Sequence, residues 1–109
     1  MADRPGHFDL MILLAVLRLD DNAYGVPIST EIENTTGRSI ALASVYAALE
    51  RLESRGWVSS RVGEATAERG GRAKRYFRVT AKGVREARDA KRALVKMWGG
   101  IRQLQEGTT

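Results

Sequence analysis

The chain has 109 residues, a length that allows one domain with one modest core. Hydrophobic residues make up 43% and charged residues 28%, a composition that excludes a disordered chain. The lack of cysteine excludes disulfides, thiolate nucleophiles and cysteine metal sites, and it is compatible with the reducing cytoplasm. The net charge of +5 favours a polyanionic partner such as nucleic acid.

The first two predicted elements are helices. Residues 8–19 are apolar at nearly every position of the run 10–17, which is typical of a helix packed between other elements. That run is too short for a membrane span or a signal peptide, so no membrane association is expected. The polar cluster 20–22 ends this helix. A second helix begins in the segment 24–27, whose proline suits a first turn, and ends before Gly37.

The third predicted helix has the clearest periodicity. Leu42, Val45, Leu49 and Leu52 recur at intervals of three, four and three residues and form an apolar stripe, and Gly56 closes the segment. The other side of this helix is predicted to carry small and basic side chains: Ala43, Ser44, Ala47, Ala48, Arg51 and Arg55.

An antiparallel ribbon is predicted next. Residues 57–62 and 76–80 have strand composition, with Trp57 or Val58 packing inward. The connection between them, residues 63–74, is glycine-rich and basic, so we expect a cationic hairpin tip. The residues of interest there are Arg69, Gly70, Gly71, Arg72, Lys74 and Arg75.

Charge divides the chain unevenly. Residues 1–55 carry five basic and eight acidic side chains, whereas residues 56–92 carry eleven basic and four acidic ones. The second segment is therefore expected to form a cationic patch on the domain.

A fourth helix is predicted from a Thr80 cap to at least Trp98. Its apolar residues follow a heptad a/d pattern, which Gly99 and Gly100 interrupt at a cost of about 1 kcal/mol each relative to alanine. This seam packs either against the first helix or against a second copy; we favour a homodimer, because six apolar positions exceed what so small a domain covers. The predicted interface residues are these six, Ala87, Ala90, Leu94, Met97, Ile101 and Leu104, together with Trp98.

Three helices, a basic ribbon and a last helix, in that order, are typical of a winged helix-turn-helix, a mostly α (α+β) fold. We expect residues 1–80 to bind double-stranded DNA and residues 81–109 to dimerise within the same compact unit. Small side chains at Ala43, Ser44, Ala47 and Ala48 are expected to allow close approach to base edges, and Arg51 to reach phosphate or guanine. Tyr46 is equally compatible with DNA contact and with the core.

The ribbon cations are compatible with two interpretations. A run of charge is usually a solvated loop, but the preceding helix-turn-helix pattern favours phosphate contact. No nucleophile or acid–base set can be assembled, and the single histidine, His7, lies near the N-terminus. The sequence therefore predicts no enzyme, no metal site and no cofactor.

Three stretches resemble the PadR family of bacterial repressors, in the short form with one C-terminal helix. They are LMILLAVL at 10–17 followed by AYGVPI at 23–28, SVYAALERLESRGWV at 44–58, and GGRAKRYFRVTAKG at 70–83. The resemblance implies a winged-helix homodimer that represses from a palindromic operator, with Tyr46 meeting DNA and the last helix dimerising with help from the first. It also implies that some relatives bind phenolic acids or planar drugs.

The chain departs from that pattern at two positions. Ala43 stands where the family usually has glycine, and Leu94 stands where some drug-binding relatives place a stacking tryptophan, with Trp98 one turn later. Two other hypotheses remain beside the repressor. One is a ligand sensor that takes a small aromatic effector near Trp98, and the other is a winged-helix module that binds proteins and not DNA.

Overall fold

The computed structural model describes residues 4–63 and 73–105. Within them, four helices and two strands follow the predicted order. The helices are α1 (His7–Leu19), α2 (Gly25–Thr36), α3 (Leu42–Ser54) and α4 (Ala81–Trp98), and the strands are β1 (Val58–Val62) and β2 (Arg75–Val79). The two strands pair in antiparallel register, with Ser60 opposite Phe77 and Val62 opposite Arg75. The mostly α winged helix-turn-helix architecture is confirmed.

Local backbone geometry explains where the helices stop. A 3-10 turn at Asp20–Asn22 follows α1, and Asp20 at the end of the helix has a positive φ of 54°. Gly37 ends α2 with a φ of 79°, the left-handed conformation that the sequence predicts there. At the start of α4, the Thr80 hydroxyl accepts a hydrogen bond from the Gly83 amide at 3.0 Å, which confirms the predicted cap.

The core lies where α1, α2 and α3 meet. Ile12, Leu13, Ile28 and Leu49 are fully buried in it, and the root of the ribbon covers one side. Both Trp57 and Val58 pack inward, where the sequence predicts one or the other. The Phe77 amide also donates a 2.8 Å hydrogen bond to the Ala23 carbonyl, so the turn before α2 is tied to β2.

α4 packs back onto α1 and β2. A Cβ at Gly83 would collide with the Trp57 carbonyl oxygen, so the glycine allows the helix to approach the ribbon root closely. The helical seam is shorter than the heptad pattern predicts. Gly99 is extended and Gly100 has a φ of 80°, so the helix ends at Trp98, and Ile101 and Leu104 lie in a separate segment with a 3-10 turn at Arg102–Leu104.

Among residues 4–63 and 73–105, no helix has the length and apolar character required to cross a bilayer.

Candidate nucleic-acid interface

The exposed side of α3 is lined by small side chains. Ala43, Ser44 and Ala47 are all exposed, as the sequence predicts for a helix that approaches base edges. Ala48 is an exception, because it is fully buried beside Val45, which lies three residues earlier on the same side of the helix. The prediction that Ala48 belongs to the exposed side is wrong. Leu42, in the first turn of α3, belongs to the predicted apolar stripe but is 40% exposed, so it is only partly buried in the core.

Tyr46 connects α3 to the beginning of α2. Its side chain is 43% exposed, and its phenol end lies directly over Gly25, where a Cβ would collide with the hydroxyl and with Cζ. The ring therefore packs against helix backbone and still presents surface to solvent, between the two alternatives that the sequence left open. The role of Gly25 is not evident from the sequence, because nothing in the local pattern places Tyr46 opposite it.

Arg51 takes part in an ion pair within the chain. Its Nη2 donates to Asp9 Oδ1 at 2.7 Å and its Nε donates to Asp9 Oδ2 at 3.2 Å, and this side-chain hydrogen bonding raises the pKa of Arg51 above its ordinary value. The Asp9 side chain is only 11% exposed. Arg51 thus links α3 to α1, and its contact with DNA stays a prediction. An acidic residue in the first turn of the apolar helix α1 was the available sequence signal for this pair.

Arg75, at the start of β2, lies at the end of the ribbon that adjoins the connecting segment and is bound to α3 and β1. Its Nη2 donates to Glu53 Oε1 at 3.2 Å and its Nε donates to Ser60 Oγ at 3.1 Å. The Ser60 hydroxyl in turn donates to Glu53 Oε2 at 2.6 Å. Three elements, α3, β1 and β2, are joined by these contacts, which we call the Glu53 clamp. Glu53 was not among the predicted site residues.

Lys74 lies on the opposite face of the ribbon. Its Nζ donates to the Tyr24 hydroxyl at 3.0 Å and lies 4.1 Å from the centroid of that ring. Tyr24 also contacts Tyr76 edge to face at 5.4 Å between centroids, and Arg61 stacks over Tyr76 at 4.7 Å. Aromatic side chains therefore tie this face of the ribbon to the beginning of α2.

The predicted tip of the ribbon, comprising Arg69, Gly70, Gly71 and Arg72, lies outside the described residues. Their predicted contact with DNA phosphates stays a prediction.

The predicted dimer residues divide into two groups. Ala87 and Ala90 are buried within the chain itself, so they are not part of its surface. The others are exposed: Met97 is 76% exposed, Leu94 and Trp98 are more than half exposed, and Ile101 and Leu104 are less so. A groove of about 370 Å³ between α1 and α4 adds exposed Leu14 and Leu17 to this apolar surface.

A second groove, of about 400 Å³, runs between α1 and α2. Met11, Leu14 and Ile32 line it, and a small polar network closes its rim. There Arg18 Nε donates to Glu31 Oε2 at 2.7 Å, and the Thr35 hydroxyl donates to the same oxygen at 3.1 Å. The Arg18 hydrogen bond, followed by that of Thr35, lowers the pKa of Glu31 below its ordinary value.

Comparisons with known proteins agree with this geometry. The sequence matches the transcriptional regulator PadR-like family over residues 13–89. A solved transcriptional regulator from Clostridium thermocellum, Cth-833, is 28% identical with a TM-score of 0.72 and 84% of each chain covered. A PadR family regulator from Eggerthella lenta has 23% identity and a TM-score of 0.71, covering 92% of this chain and 84% of that one. An uncharacterised protein of Lysinibacillus sphaericus is 32% identical over 101 residues, 91% of this chain and 84% of its own length.

Proposed function

Because the chain belongs to the transcriptional regulator PadR-like family, we propose that it is a repressor that binds a palindromic operator as a homodimer. The family consists of transcriptional regulators and not of enzymes. In this proposal residues 1–80 contact DNA, residues 81–109 dimerise within the same compact unit, and the protein acts in the cytoplasm, where the chromosome lies.

One observation carries the DNA-binding proposal: α3 exposes small side chains beside a cationic ribbon. Ala43, Ser44 and Ala47 bring no bulk that would hold the helix away from a major groove, and the Ser44 hydroxyl both donates and accepts hydrogen bonds at base edges. Lys74, directly before β2, and Arg69 and Arg72, which precede it in the sequence, supply charge for phosphates. Tyr46, packed over Gly25, holds the start of α2 beside this surface.

The dimer proposal is supported by apolar surface that the chain leaves uncovered. Met97 and Trp98 are exposed at the end of α4. Leu14 and Leu17 are exposed on α1, where they line the groove between α1 and α4. Burial of such side chains contributes about 25 cal/mol per Å² of apolar surface. A two-fold pair presents two copies of α3, and a half-site spacing of about 10 base pairs suits two successive major-groove turns.

The test is binding to duplex DNA at several salt concentrations. Duplexes are first selected by the chain from a random pool, and the affinity is then compared with that for scrambled duplexes. We expect a palindromic consensus, preferred over scrambled DNA, and an affinity that falls linearly on a log–log plot with a slope of about −0.9 per phosphate contacted. Equal affinity for selected and scrambled duplexes would contradict the proposal.

Two substitutions separate base contact from general attraction. Ser44→Ala should change the selected sequence or weaken the preference, because it removes a hydroxyl from the exposed side of α3. Arg85→Ala is the control for cation loss, since Arg85 is an exposed cation on α4 and belongs neither to α3 nor to the ribbon. It should leave the preference unchanged.

We propose further that a small aromatic effector relieves repression by binding next to Trp98. The support is that the indole is 54% exposed and lies one turn beyond Leu94, which lines the groove between α1 and α4. The other tryptophan, Trp57, is buried, so quenching of fluorescence by added phenolic acids or planar dyes would report on Trp98. Quenching that persists in Trp98→Ala would overturn this second proposal.

A further inference from the structure

We propose that Glu53 and Arg75 are positioning residues, which set the ribbon against the recognition helix α3 and thereby determine the selectivity of DNA binding, without contact between Arg75 and DNA. This inference rests on the function proposed above and deepens it. It assigns a role to Glu53, which the sequence did not indicate, and changes the role of Arg75, which the sequence assigned to phosphate contact.

The Glu53 clamp is a side-chain connection between α3 and both strands of the ribbon. Each carboxylate oxygen of Glu53 accepts one hydrogen bond, from Ser60 on β1 and from Arg75 on β2. The Ser60 hydroxyl is used in both directions, because it donates to Glu53 and accepts from Arg75. Ser60 is paired with Phe77, which lies two residues after Arg75 on β2. Because residues two apart on a strand point to the same face, Ser60 and Arg75 share one face of the ribbon.

Arg75 and its neighbour Lys74 differ in how their positive charges are paired. The positive charge of Arg75 is balanced by the Glu53 carboxylate, so a DNA phosphate would merely replace one anion with another. Lys74 donates to a neutral hydroxyl, that of Tyr24, and an ammonium group has three N–H donors. The two adjacent cations are therefore in different states: the charge of Arg75 is paired with a carboxylate, whereas that of Lys74 faces a neutral hydroxyl.

The opposite face of the ribbon contacts Tyr24, the residue directly before α2. Tyr24 packs against Tyr76 and Lys74 there, and α2 carries Gly25 beneath Tyr46. Loss of the Glu53 clamp would leave the ribbon held on that face while its orientation to α3 is released. Arg75 is 59% exposed, and exposed ion pairs contribute little to stability, so we expect an effect on orientation with little loss of folding.

The experiment compares Glu53→Gln, Ser60→Ala and Arg75→Ala with Lys74→Ala, which is the matched control. Binding of each variant is measured over a salt series, on the duplex that the wild-type chain selects from a random pool and on a scrambled duplex of equal composition. Lys74→Ala should weaken binding to both duplexes alike and reduce the salt slope by about 0.9. Arg75→Ala should leave the slope unchanged and reduce the ratio of selected to scrambled affinity about fivefold or more.

Glu53→Gln gives the sharpest contrast. It removes an anion near DNA, so affinity for scrambled duplex should stay equal or rise, while the selectivity ratio falls about fivefold or more. If Glu53 acts only through charge, affinity rises equally for both duplexes and the ratio stays constant, which overturns the inference. A second readout needs no DNA: amide hydrogen exchange in β1 and β2 should accelerate in Glu53→Gln and Ser60→Ala, with unchanged exchange in the core of α1.

The outcomes also distinguish this inference from the proposed function. A wild-type chain with no preference for any duplex would contradict both. A selective wild-type chain whose ratio survives in Glu53→Gln and Arg75→Ala, or an Arg75→Ala variant that loses salt slope as Lys74→Ala does, would overturn the inference alone. The exchanged pair Glu53→Arg with Arg75→Glu should restore part of the selectivity, because the two charges can pair again in reversed order.

Discussion

Arg51 of α3 donates two hydrogen bonds to one carboxylate, that of Asp9 on α1, at 2.7 and 3.2 Å. The pair joins the proposed recognition helix to the helix that exposes Leu14 and Leu17. A bidentate guanidinium–carboxylate contact fixes direction as well as distance. The orientation of α3 is therefore set from two sides, by Arg51 toward α1 and by the Glu53 clamp toward the ribbon.

The first prediction follows from the burial of Asp9. Arg51→Ala should lower the free energy of unfolding by about 1–3 kcal/mol, because it leaves a largely buried carboxylate without its partner. Urea denaturation at neutral pH measures this. The double variant Asp9→Ala, Arg51→Ala should lose less than the sum of the two single variants, whereas Arg78→Ala, which removes an exposed cation from β2, should change stability little. Strict additivity would show that the pair is not coupled.

The second prediction concerns two glycines that allow close contacts of different kinds. Gly25→Ala places a methyl group against the side chain of Tyr46, whereas Gly83→Ala places one against the Trp57 carbonyl. Both should destabilise the fold, but Tyr46→Ala should relieve only the first, because backbone cannot move aside as a side chain can. Thermal melting of the single and double variants checks this, with Gly6→Ala, which has open space, as the control. Equal melting temperatures for Gly83→Ala and wild type would contradict it.

The third prediction concerns pH. The pKa of Glu31 is lowered from its ordinary 4.5 by the Arg18 hydrogen bond first and by Thr35 second, with burial acting the other way. A depressed carboxyl pKa stabilises the folded state fully above the unfolded-state pKa, and this contribution is lost as pH falls through the folded-state value. Glu31→Gln should therefore melt below wild type at neutral pH, and the difference should shrink at pH values below 4.5. Glu33→Gln, on the exposed side of the same helix, serves as the control. A difference independent of pH would contradict the assignment.

The fourth prediction tests the apolar end of α4. Met97→Ser and Trp98→Ala should each raise the dissociation constant of the proposed dimer at least about tenfold, because both side chains are exposed in the single chain and lose apolar burial. Sedimentation equilibrium measures the constant. Lys96→Ala is the matched control, since a rotation of 100° per residue turns Lys96 away from the side that bears Leu94. Monomeric wild-type protein at all concentrations would contradict the dimer.

The order of the helices and strands, and most of their bounds, were predictable from the sequence, because local rules decide where such elements begin and end. The Thr80 cap, the left-handed Gly37 and the stripe of Val45, Leu49 and Leu52 depend on neighbours in the sequence. The end of α4 was less certain, since an a/d pattern predicts where side chains face only while the backbone remains helical. Gly100 turns out of that geometry, so Ile101 and Leu104 are apolar residues of a different segment.

Composition and periodicity by themselves determined that a small helical domain would expose a basic ribbon and a helix with small side chains. Which cations carry free charge was decided only by the tertiary structure, because Asp9 lies 42 positions before Arg51 and Glu53 lies 22 positions before Arg75. Charge pairing over such separations depends on how helices and strands pack. Arg75 and Lys74 are adjacent in sequence, yet the pleat directs them to opposite faces of the ribbon, one toward a carboxylate and the other toward a phenol.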